Sequence, residues 1–475
     1  MGLIVREKSL FFIICCAGIF LRYYNHSYDD LWYDEVISFW ISNPELTFFD
    51  TINYNRLVDI NTPAYHFILK FFFLIFGYSV ESGRLLSVIF GILSIFSVGY
   101  LSWMISKNAS FLLSIFLISF NIFLISFSQE MRVYSILFFF SSLFLISFLL
   151  TLNDSKNYLK NIIFLFISII FISLHPFSLI IFFSCSLYLI LKYPKSYKEY
   201  LYLYFCKFLI LIAAFFIYFS VFFLISDSNG SSDYFWQTNP DLGFYTNFYF
   251  SSFFGSRIMG LIFLITLLSL ILKKNKKIFE IEIETLLVLI IFLCYFLPII
   301  FGYIYRPIIV NRYIIFVLIP IAIITSHFIF NLQNKRIKLF LILFLSIISI
   351  GNLFTEQAFK QFFKERTVSK PEYTPALKYI NDSNHKKYIL KVTKMKNERA
   401  TKDALNHYIS YLNSLNNFDL EFLSNESKNE NIFLWHICLQ DFNGKNCKIK
   451  DFDKKFKIIE IKNFNNIELK LIKII

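Results

Sequence analysis

Two short stretches of the sequence place acids in apolar surroundings, and the second also carries an arginine. The first, LWYDEVISFW at 31–40, places the adjacent carboxylates Asp34 and Glu35 among apolar and aromatic residues, and the second, FSQEMRVYS, carries Glu130 beside Arg132. A charge in such a setting is costly unless it is compensated or functional. A carboxylate can act as general base toward a hydroxyl while an arginine stabilises a phosphate leaving group. An acid also stabilises a helix N-terminus, and for Asp34 this structural alternative stays open.

Membrane helices must position these residues. The 475-residue chain is 56% hydrophobic and 20% aromatic, with 63 Phe, and its mean hydropathy is +0.58. The apolar residues occur in long runs, which are typical of transmembrane helices. About 11 spans of suitable apolarity are predicted, at 9–22, 84–105, 109–127, 134–152, 160–174, 177–191, 201–225, 256–272, 284–303, 313–330 and 337–353. The sequence therefore predicts an all-α polytopic membrane protein.

Lysine clusters between the spans predict their orientation. The net charge of +13 comes mostly from lysines that fall on alternate loops, as expected for orientation signals rather than for nucleic-acid binding. With a cytoplasmic N-terminus, the loops 23–83, 128–133, 226–255 and 304–312 and the tail from about 354 lie outside. If the apolar segment 62–77 crossed the membrane, every later loop would lie on the opposite side, and the lysine clusters would then be outside. We therefore predict that this segment forms a helix in the outer membrane interface.

The cations of the predicted outer face within the membrane part are mostly arginines, with Lys70 as the exception. They are Arg22, Arg56, Arg84, Arg132, Arg257, Arg306 and Arg312. A guanidinium group suits bidentate contacts to phosphate, although a single arginine can also simply extend to the lipid headgroups. As a set on one face, these residues predict a phosphate-bearing partner.

The tail differs in composition from the rest of the chain. It is charged and rich in Asn, with the apolar stretches YILKV, IFLWHICL and IIEIKN, and helices are predicted around 372–381 and 401–415. This alternation predicts a small soluble α/β domain over 354–475, after a membrane domain over 1–353. Cys438 and Cys447 could form a disulfide in an oxidising compartment, and free thiols are the alternative.

Four motifs in order resemble the polytopic GT-C glycosyltransferases related to glycosyltransferase family 39. This group includes protein O-mannosyltransferases and the lipid A aminoarabinose transferase. The motifs are WYDE at 32–35, DINTPAYHF at 59–67, SQEMRVYS at 128–135 and NRYIIFVLIP at 311–320. The resemblance covers residues 10–330 and implies a GT-C fold and a transferase that uses a polyprenyl-phosphate-linked sugar without a further cofactor. The chain departs from the family at 61–64, where NTPA replaces the His-Pro-Pro-Leu of relatives, which leaves the role of that His in doubt here.

The resemblance also implies catalytic roles. Asp34 corresponds to the first-loop Asp that serves as base in this family, and Glu35 is the supporting acid. Asp34, Glu35 and Glu130 could share a divalent cation, but the better-matched relatives are not thought to depend on a metal, and we predict none.

The donor is expected to contact the later motifs. Glu130 and Arg132 match the family's second outer motif, near the donor phosphate or sugar. Arg312 would contact the lipid-linked phosphate, with help from Arg306. Further candidates are Arg56, Asp59, Tyr65, Arg84 and His175, and Asp233, Tyr234 and Trp236 in the long outer loop as a lid or acceptor contact. For His175 a purely structural role at the proline turn stays open, and the long loop could instead be disordered.

These features predict an inner-membrane, multi-pass enzyme that acts on the periplasmic face. Its partners would be membrane lipids, a lipid-linked sugar donor and a glycolipid, glycan or protein acceptor, such as lipopolysaccharide. A flippase or other transporter is the first alternative, and it would carry ionisable residues in the middle of its spans. An O-antigen ligase or polymerase is the second, and it would concentrate its key residues in one late loop. Acids and arginines at the edge of the spans, beginning in the first loop, favour the transferase.

Overall fold

The computed structural model describes residues 5–59, 62–154, 156–193, 258, 260–262, 264–265, 283–305, 307–355, 370–392, 397–423, 432–439 and 456–474. These residues form two compact units. The first, called the helical unit, contains the described residues of 5–26 and 84–355. The second, called the mixed unit, contains those of 27–83 and 370–474. The first predicted outer loop therefore belongs to the same unit as the C-terminal segment.

Helices dominate the described part of the chain. In chain order the helices are α1 (Val5–Tyr23), α2 (Tyr33–Ile41), α3 (Phe48–Val58), α4 (Ala64–Phe76), α5 (Val80–Ser106), α6 (Ser110–Ser119), α7 (Ile122–Ser128), α8 (Tyr134–Asn153), α9 (Tyr158–Leu174), α10 (Ser178–Lys192), α11 (Ile283–Ile304), α12 (Leu318–Phe330), α13 (Lys335–Thr355), α14 (Tyr373–Asp382) and α15 (Glu398–Asn416). Each predicted span that lies within the described residues is helical. The predicted spans 201–225 and 256–272 lie wholly or largely outside them.

The membrane character of the chain is confirmed. Among the described residues, five helices are long and apolar enough to cross a membrane, or six if the bent pair α6–α7 counts as one span. The span predicted at 109–127 is present as two helices, α6 and α7, which meet at an angle of 57°. The Asn121 side chain accepts a hydrogen bond from the Leu124 amide and so caps a new helix at this break. The span predicted at 313–330 likewise begins as a 3-10 helix, Asn311–Val317.

Small residues let the helices of the helical unit approach closely. A Cβ atom on Gly91 of α5 would lie 2.3 Å from Ser128 Oγ, so no larger residue fits there without a shift. The hydroxyl groups of Ser102 and Ser114 lie 2.9 Å apart between α5 and α6. Lipid tails give little hydrophobic drive for helix association, and close packing and interhelical hydrogen bonds take its place.

The C-terminal segment forms the predicted α/β structure. Its strands are β1 (Lys387–Lys391), β2 (Glu421–Phe422), β3 (Phe433–Leu439), β4 (Phe456–Phe464) and β5 (Ile467–Ile474). They form one sheet in the order β2-β1-β3-β5-β4, in which β1 runs parallel to β2 and β3 while β5 runs antiparallel to β3 and β4. The predicted helices near 372–381 and 401–415 correspond to α14 and α15.

One cysteine of the sheet is oxidised. Cys438, buried in β3, takes part in a disulfide bond. Cys447, its predicted partner, lies outside the described residues.

The helix predicted at 62–77 is present as α4. It buries Tyr65, Leu69 and Phe73 and exposes Phe71 and Leu74. This two-faced helix has the character that an interfacial position requires, and the position itself stays a prediction.

A buried histidine makes the C-terminal sheet sensitive to acid. His436 of β3 is buried, and burial together with the charges of Lys470 and Lys391 lowers its pKa from 6.5 to about 4. The folded state thus keeps His436 neutral where the unfolded chain would protonate it, so stability is lost as the pH falls from about 6.5 to 4, on the order of 3 kcal/mol in total. The protection factors of the β3 amides, which are corrected for the intrinsic pH dependence of hydrogen exchange, should fall over this range and fall less in His436→Gln, whereas His385→Gln serves as the control. An unchanged acid response in His436→Gln would contradict this assignment.

Candidate functional site

Asp34 and Glu35 share the first turn of α2 but differ in environment. Asp34 is half-buried, and its backbone oxygen accepts a hydrogen bond of 3.0 Å from Ser38 Oγ. Glu35 is 0% exposed. The helix start at this point suits both acids, because the N-terminus of a helix carries partial positive charge. Of the two residues, only Asp34 retains solvent-exposed surface.

The charge of Glu35 is balanced from the far end of the sequence. Its Oε2 lies 2.7 Å from Nζ of Lys370, which is 13% exposed, although 335 positions separate the two residues. A buried carboxylate is tolerated when such a partner neutralises it. No motif marks Lys370, so sequence reasoning missed it.

A second acid of the first loop binds the same C-terminal segment. Asp30 accepts hydrogen bonds of 2.7 Å from both the amide and the hydroxyl of Thr374, in the first turn of α14. The Tyr408 hydroxyl donates to Asp30 at 3.3 Å, and Tyr33 and Thr401 share a hydrogen bond of 3.0 Å. Asp30 thereby caps a helix whose own sequence supplies no side-chain cap.

The DINTPAYHF motif contributes to the interior of the mixed unit. Asp59 Oδ2 lies 3.6 Å from Nε2 of His66, and Nδ1 of the same ring lies 3.4 Å from Ser42 Oγ. These three side chains and Tyr65 are buried. Arg56 lies in the last turn of α3 and is half-buried. The motif therefore shapes the loop that carries Asp34.

Three separate stretches of the helical unit meet around Tyr313. Its ring lies 6.5 Å from that of Tyr134, at the end of the SQEMRVYS motif, and 5.0 Å from that of His175. The guanidinium of Arg312 lies 5.9 Å from the Tyr134 ring centre and 5.8 Å from that of Tyr313. We call Tyr134, His175, Arg312 and Tyr313 the aromatic–arginine cluster. A guanidinium group held over aromatic rings keeps its orientation and its full charge.

The turn before the cluster carries Glu130 and Arg132. The Arg132 amide donates a hydrogen bond of 2.8 Å to the Glu130 backbone oxygen, and the side chain of Arg132 is buried while that of Glu130 is half-buried. Gln129 fixes the turn, because its amide group donates to the backbone oxygens of Arg22 at 3.3 Å and Tyr24 at 3.0 Å. Gln129 was also missed from the sequence.

His175 ends α9 and forms the turn to α10. Its Nδ1 accepts from the Phe177 amide at 3.2 Å, and its backbone oxygen accepts from Ser178 Oγ at 2.6 Å. The structural role at the proline turn is therefore observed, and contact with Tyr313 adds His175 to the cluster.

Two arginines of the predicted phosphate-binding set bind backbone carbonyls. The buried guanidinium of Arg22 donates to the oxygens of Gly18 at 3.1 Å, Ser119 at 3.1 Å and Ile118 at 2.9 Å. The break after α6 frees the last carbonyls of that helix, and Arg22 supplies their donor. Arg84, also buried, donates to the His26 oxygen at 3.3 Å. Arg257, Arg306 and the loop residues Asp233, Tyr234 and Trp236 lie outside the described residues.

The architecture is similar to that of solved membrane glycosyltransferases. No protein-family model matches the sequence, and no curated protein matches it significantly. The structure of ArnT from Cupriavidus metallidurans in the apo state shares 9% identity with a TM-score of 0.56, over 98% of this chain and 97% of that chain. The Archaeoglobus fulgidus oligosaccharyltransferase tethered to an acceptor peptide shares 11% identity with a TM-score of 0.52, over 90% of this chain and 69% of that chain.

The chain has the GT-C fold. This confirms the fold class that the four motifs predicted. At 9% and 11% identity the likeness concerns the fold, so the roles of individual residues depend on their own geometry.

One of these GT-C structures, the Archaeoglobus enzyme, has been solved in complex with Zn and sulfate. Within the ranges described for this chain, no group of three or more His, Cys, Asp or Glu side chains is arranged to hold a metal ion. We therefore derive no step of the chemistry through a metal.

The carbonyl contacts of Arg22 predict a cost for a substitution that keeps its charge. Arg22→Lys replaces a three-contact fork by one ammonium group and leaves buried carbonyls without a donor, so we expect a loss of about 2 kcal/mol in stability. Thermal unfolding in detergent would measure this, with Arg336→Lys at an exposed helix start as the matched control. Equal melting temperatures for the two variants would show that the Arg22 contacts contribute little.

Proposed function

We propose that this protein is a membrane glycosyltransferase that moves a sugar from a polyprenyl-phosphate-linked donor to an acceptor hydroxyl. The observation that carries the proposal is the contrast between half-buried Asp34 and fully buried, ion-paired Glu35 at one helix start, in a chain with the GT-C fold. ArnT has been crystallised with undecaprenyl phosphate, and the archaeal oligosaccharyltransferase with dolichol-phosphate. These ligands support a polyprenyl-phosphate donor for this chain.

In the proposed reaction Asp34 takes the proton from the acceptor hydroxyl. The acceptor oxygen bonds to the anomeric carbon while the bond from that carbon to the phosphate oxygen breaks, and the electron pair leaves with the phosphate. A phosphate leaving group is stable as an anion and needs no protonating acid. A hydrolase of glycosidic bonds, by contrast, needs two carboxyl groups across the scissile bond. One base with cationic stabilisation of the phosphate is therefore sufficient.

The aromatic–arginine cluster is the proposed phosphate site. Arg312 offers a planar fork to two phosphate oxygens. The ring centres of Tyr134 and Tyr313 lie 5.9 Å and 5.8 Å from its guanidinium group. Arg132 adds positive charge, Arg306 is the further candidate of the same motif region, and Glu130 is proposed to contact the sugar.

The acceptor and the compartment are part of the same proposal. ArnT and the oligosaccharyltransferase differ in what they modify, so a glycolipid, a glycan and a protein all stay candidate acceptors, as does a hexosyl or pentosyl donor. We propose that the reaction takes place at the outer face of the inner membrane, with a cytoplasmic N-terminus and the 354–475 domain outside. The oxidised state of Cys438 supports an oxidising compartment for that domain.

Asp34→Asn should lose transfer activity because it removes the base while it keeps the shape of the side chain. In membranes supplied with a radiolabelled polyprenyl-phosphate sugar pool, we expect the rate to fall by about 10²- to 10⁴-fold. Glu45→Gln, an exposed carboxylate of the same loop, is the control and should keep its activity. Full activity in Asp34→Asn would leave helix stabilisation as the role of Asp34. Movement of lipid-linked sugar across the bilayer by wild type, without transfer, would instead favour a transporter.

Arg312→Lys should weaken donor binding because an ammonium group keeps the charge but loses the bidentate fork. We expect the donor KM to rise about tenfold, which corresponds to about 1.4 kcal/mol. Steady-state kinetics with varied donor would measure it, alongside Arg336→Lys. An unchanged KM would remove Arg312 from the donor site.

A further inference from the structure

We propose that Lys370 is a positioning residue for Asp34 and acts through Glu35. This inference rests on the proposed function, because it assumes that Asp34 is the base. It assigns a part in the reaction to the C-terminal segment, which none of the four motifs includes.

The first step of the argument is the local geometry of α2. Oε2 of Glu35 lies 2.7 Å from Lys370 Nζ and 3.5 Å from the amide of Trp32, the N-cap residue. One carboxylate oxygen therefore joins the start of the helix to the C-terminal segment. Asp34 lies in the short backbone segment between Trp32, whose amide this oxygen contacts, and Glu35, which carries the oxygen.

The second step is the anchoring of Lys370 itself. Its backbone oxygen accepts a hydrogen bond of 2.8 Å from the side chain of Asn465, in the turn between β4 and β5. The Asn465 amide donates to the Glu372 carboxylate at 2.8 Å, and the Glu372 amide donates to the Asn465 oxygen at 3.2 Å. A left-handed residue, Asn466 with φ of 57°, closes the same turn. The segment that presents Lys370 is thus attached at residues 370 and 372 to the turn between β4 and β5.

The third step is the demand of a buried charge. Glu35 has no exposed surface, so a carboxylate there needs a positive partner in fixed geometry. Attachment of the segment does not require this pair, because Asp30 already binds Thr374 with two hydrogen bonds of 2.7 Å. The ion pair adds a fixed orientation of the first turn of α2, one residue from the proposed base. Catalysis is sensitive to such orientation.

The test compares Lys370→Met, Lys370→Arg and the double variant Glu35→Gln/Lys370→Met in full-length protein. Lys378→Met, an exposed lysine on α14, is the matched control. Binding sites are counted in each preparation by titration with radiolabelled undecaprenyl phosphate, and kcat is expressed per site. This normalisation removes the effect of any unfolded fraction.

We expect Lys370→Met to lower kcat per site about 30-fold with the donor KM within about twofold of wild type. Lys370→Arg should recover most of the rate, because it keeps the positive charge. The double variant should exceed Lys370→Met, because it leaves no unpaired charge in the interior. Lys378→Met should match wild type.

Where Lys370→Met binds undecaprenyl phosphate, two results would overturn the inference. One is wild-type kcat per site in Lys370→Met, and the other is a loss that neither Lys370→Arg nor the double variant reduces. If Asp34→Asn is inactive in the same assay, either result rejects the role of Lys370 alone. If Asp34→Asn is fully active, the proposed function fails first. If Lys370→Met binds no undecaprenyl phosphate, its kcat per site has no value, and the double variant is compared with Asp34→Asn instead. A double variant that is no faster than Asp34→Asn would then reject the inference.

Discussion

A carboxylate without access to water joins two distant parts of this chain. Glu35 lies in the first loop between membrane helices, and its partner Lys370 lies 335 positions later. Because the charge of Glu35 must be compensated where it is buried, the first loop and the C-terminal segment can reach their final arrangement only together. Asp30, Thr374 and Tyr408 extend this interdependence, and the mixed unit is the result.

Arginines that look alike in the sequence have different contacts in the structure, because buried polar groups must be satisfied. Arg22 and Arg84 direct their guanidinium groups to backbone oxygens, and Arg22 does so where the break after α6 leaves carbonyls without partners. Arg312 lies near the rings of Tyr134 and Tyr313, and phosphate binding is the role that we propose for it. One residue type at the edge of the spans therefore serves two purposes, helix termination and proposed phosphate binding.

The sequence predicted well what depends on local pattern. Apolar runs predicted helices at all nine spans within the described residues, and six of these are long and apolar enough to cross a membrane when α6–α7 counts as one. The apolar stretches of the tail predicted the strands β1, β3 and β4 and both helices, but not β2 and β5. The break at Asn121 escaped prediction, because an Asn between apolar runs does not reveal that it caps a second helix. Lys370 and Gln129 escaped for another reason, since each acts on a partner far away in sequence and no local pattern distinguishes them from other polar residues. The motifs predicted Asp34 and Arg312 as site residues, and those roles stay predictions. The contrast in burial between Asp34 and Glu35 could not be predicted, because it depends on packing against residues that are distant in the sequence.

The composition of the mixed unit also affects how the protein is made. Residues 27–83 leave the ribosome long before residues 370–474, yet the two segments belong to one compact unit. During synthesis the first loop is therefore present before residues 370–474 exist, and the carboxylates of Asp30 and Glu35 are then still hydrated. Structures dominated by such non-local contacts form late and slowly. A nascent chain that already has most of its membrane helices therefore still lacks the C-terminal residues of the unit that contains Asp34. Membrane insertion of the helices thus precedes completion of the proposed site.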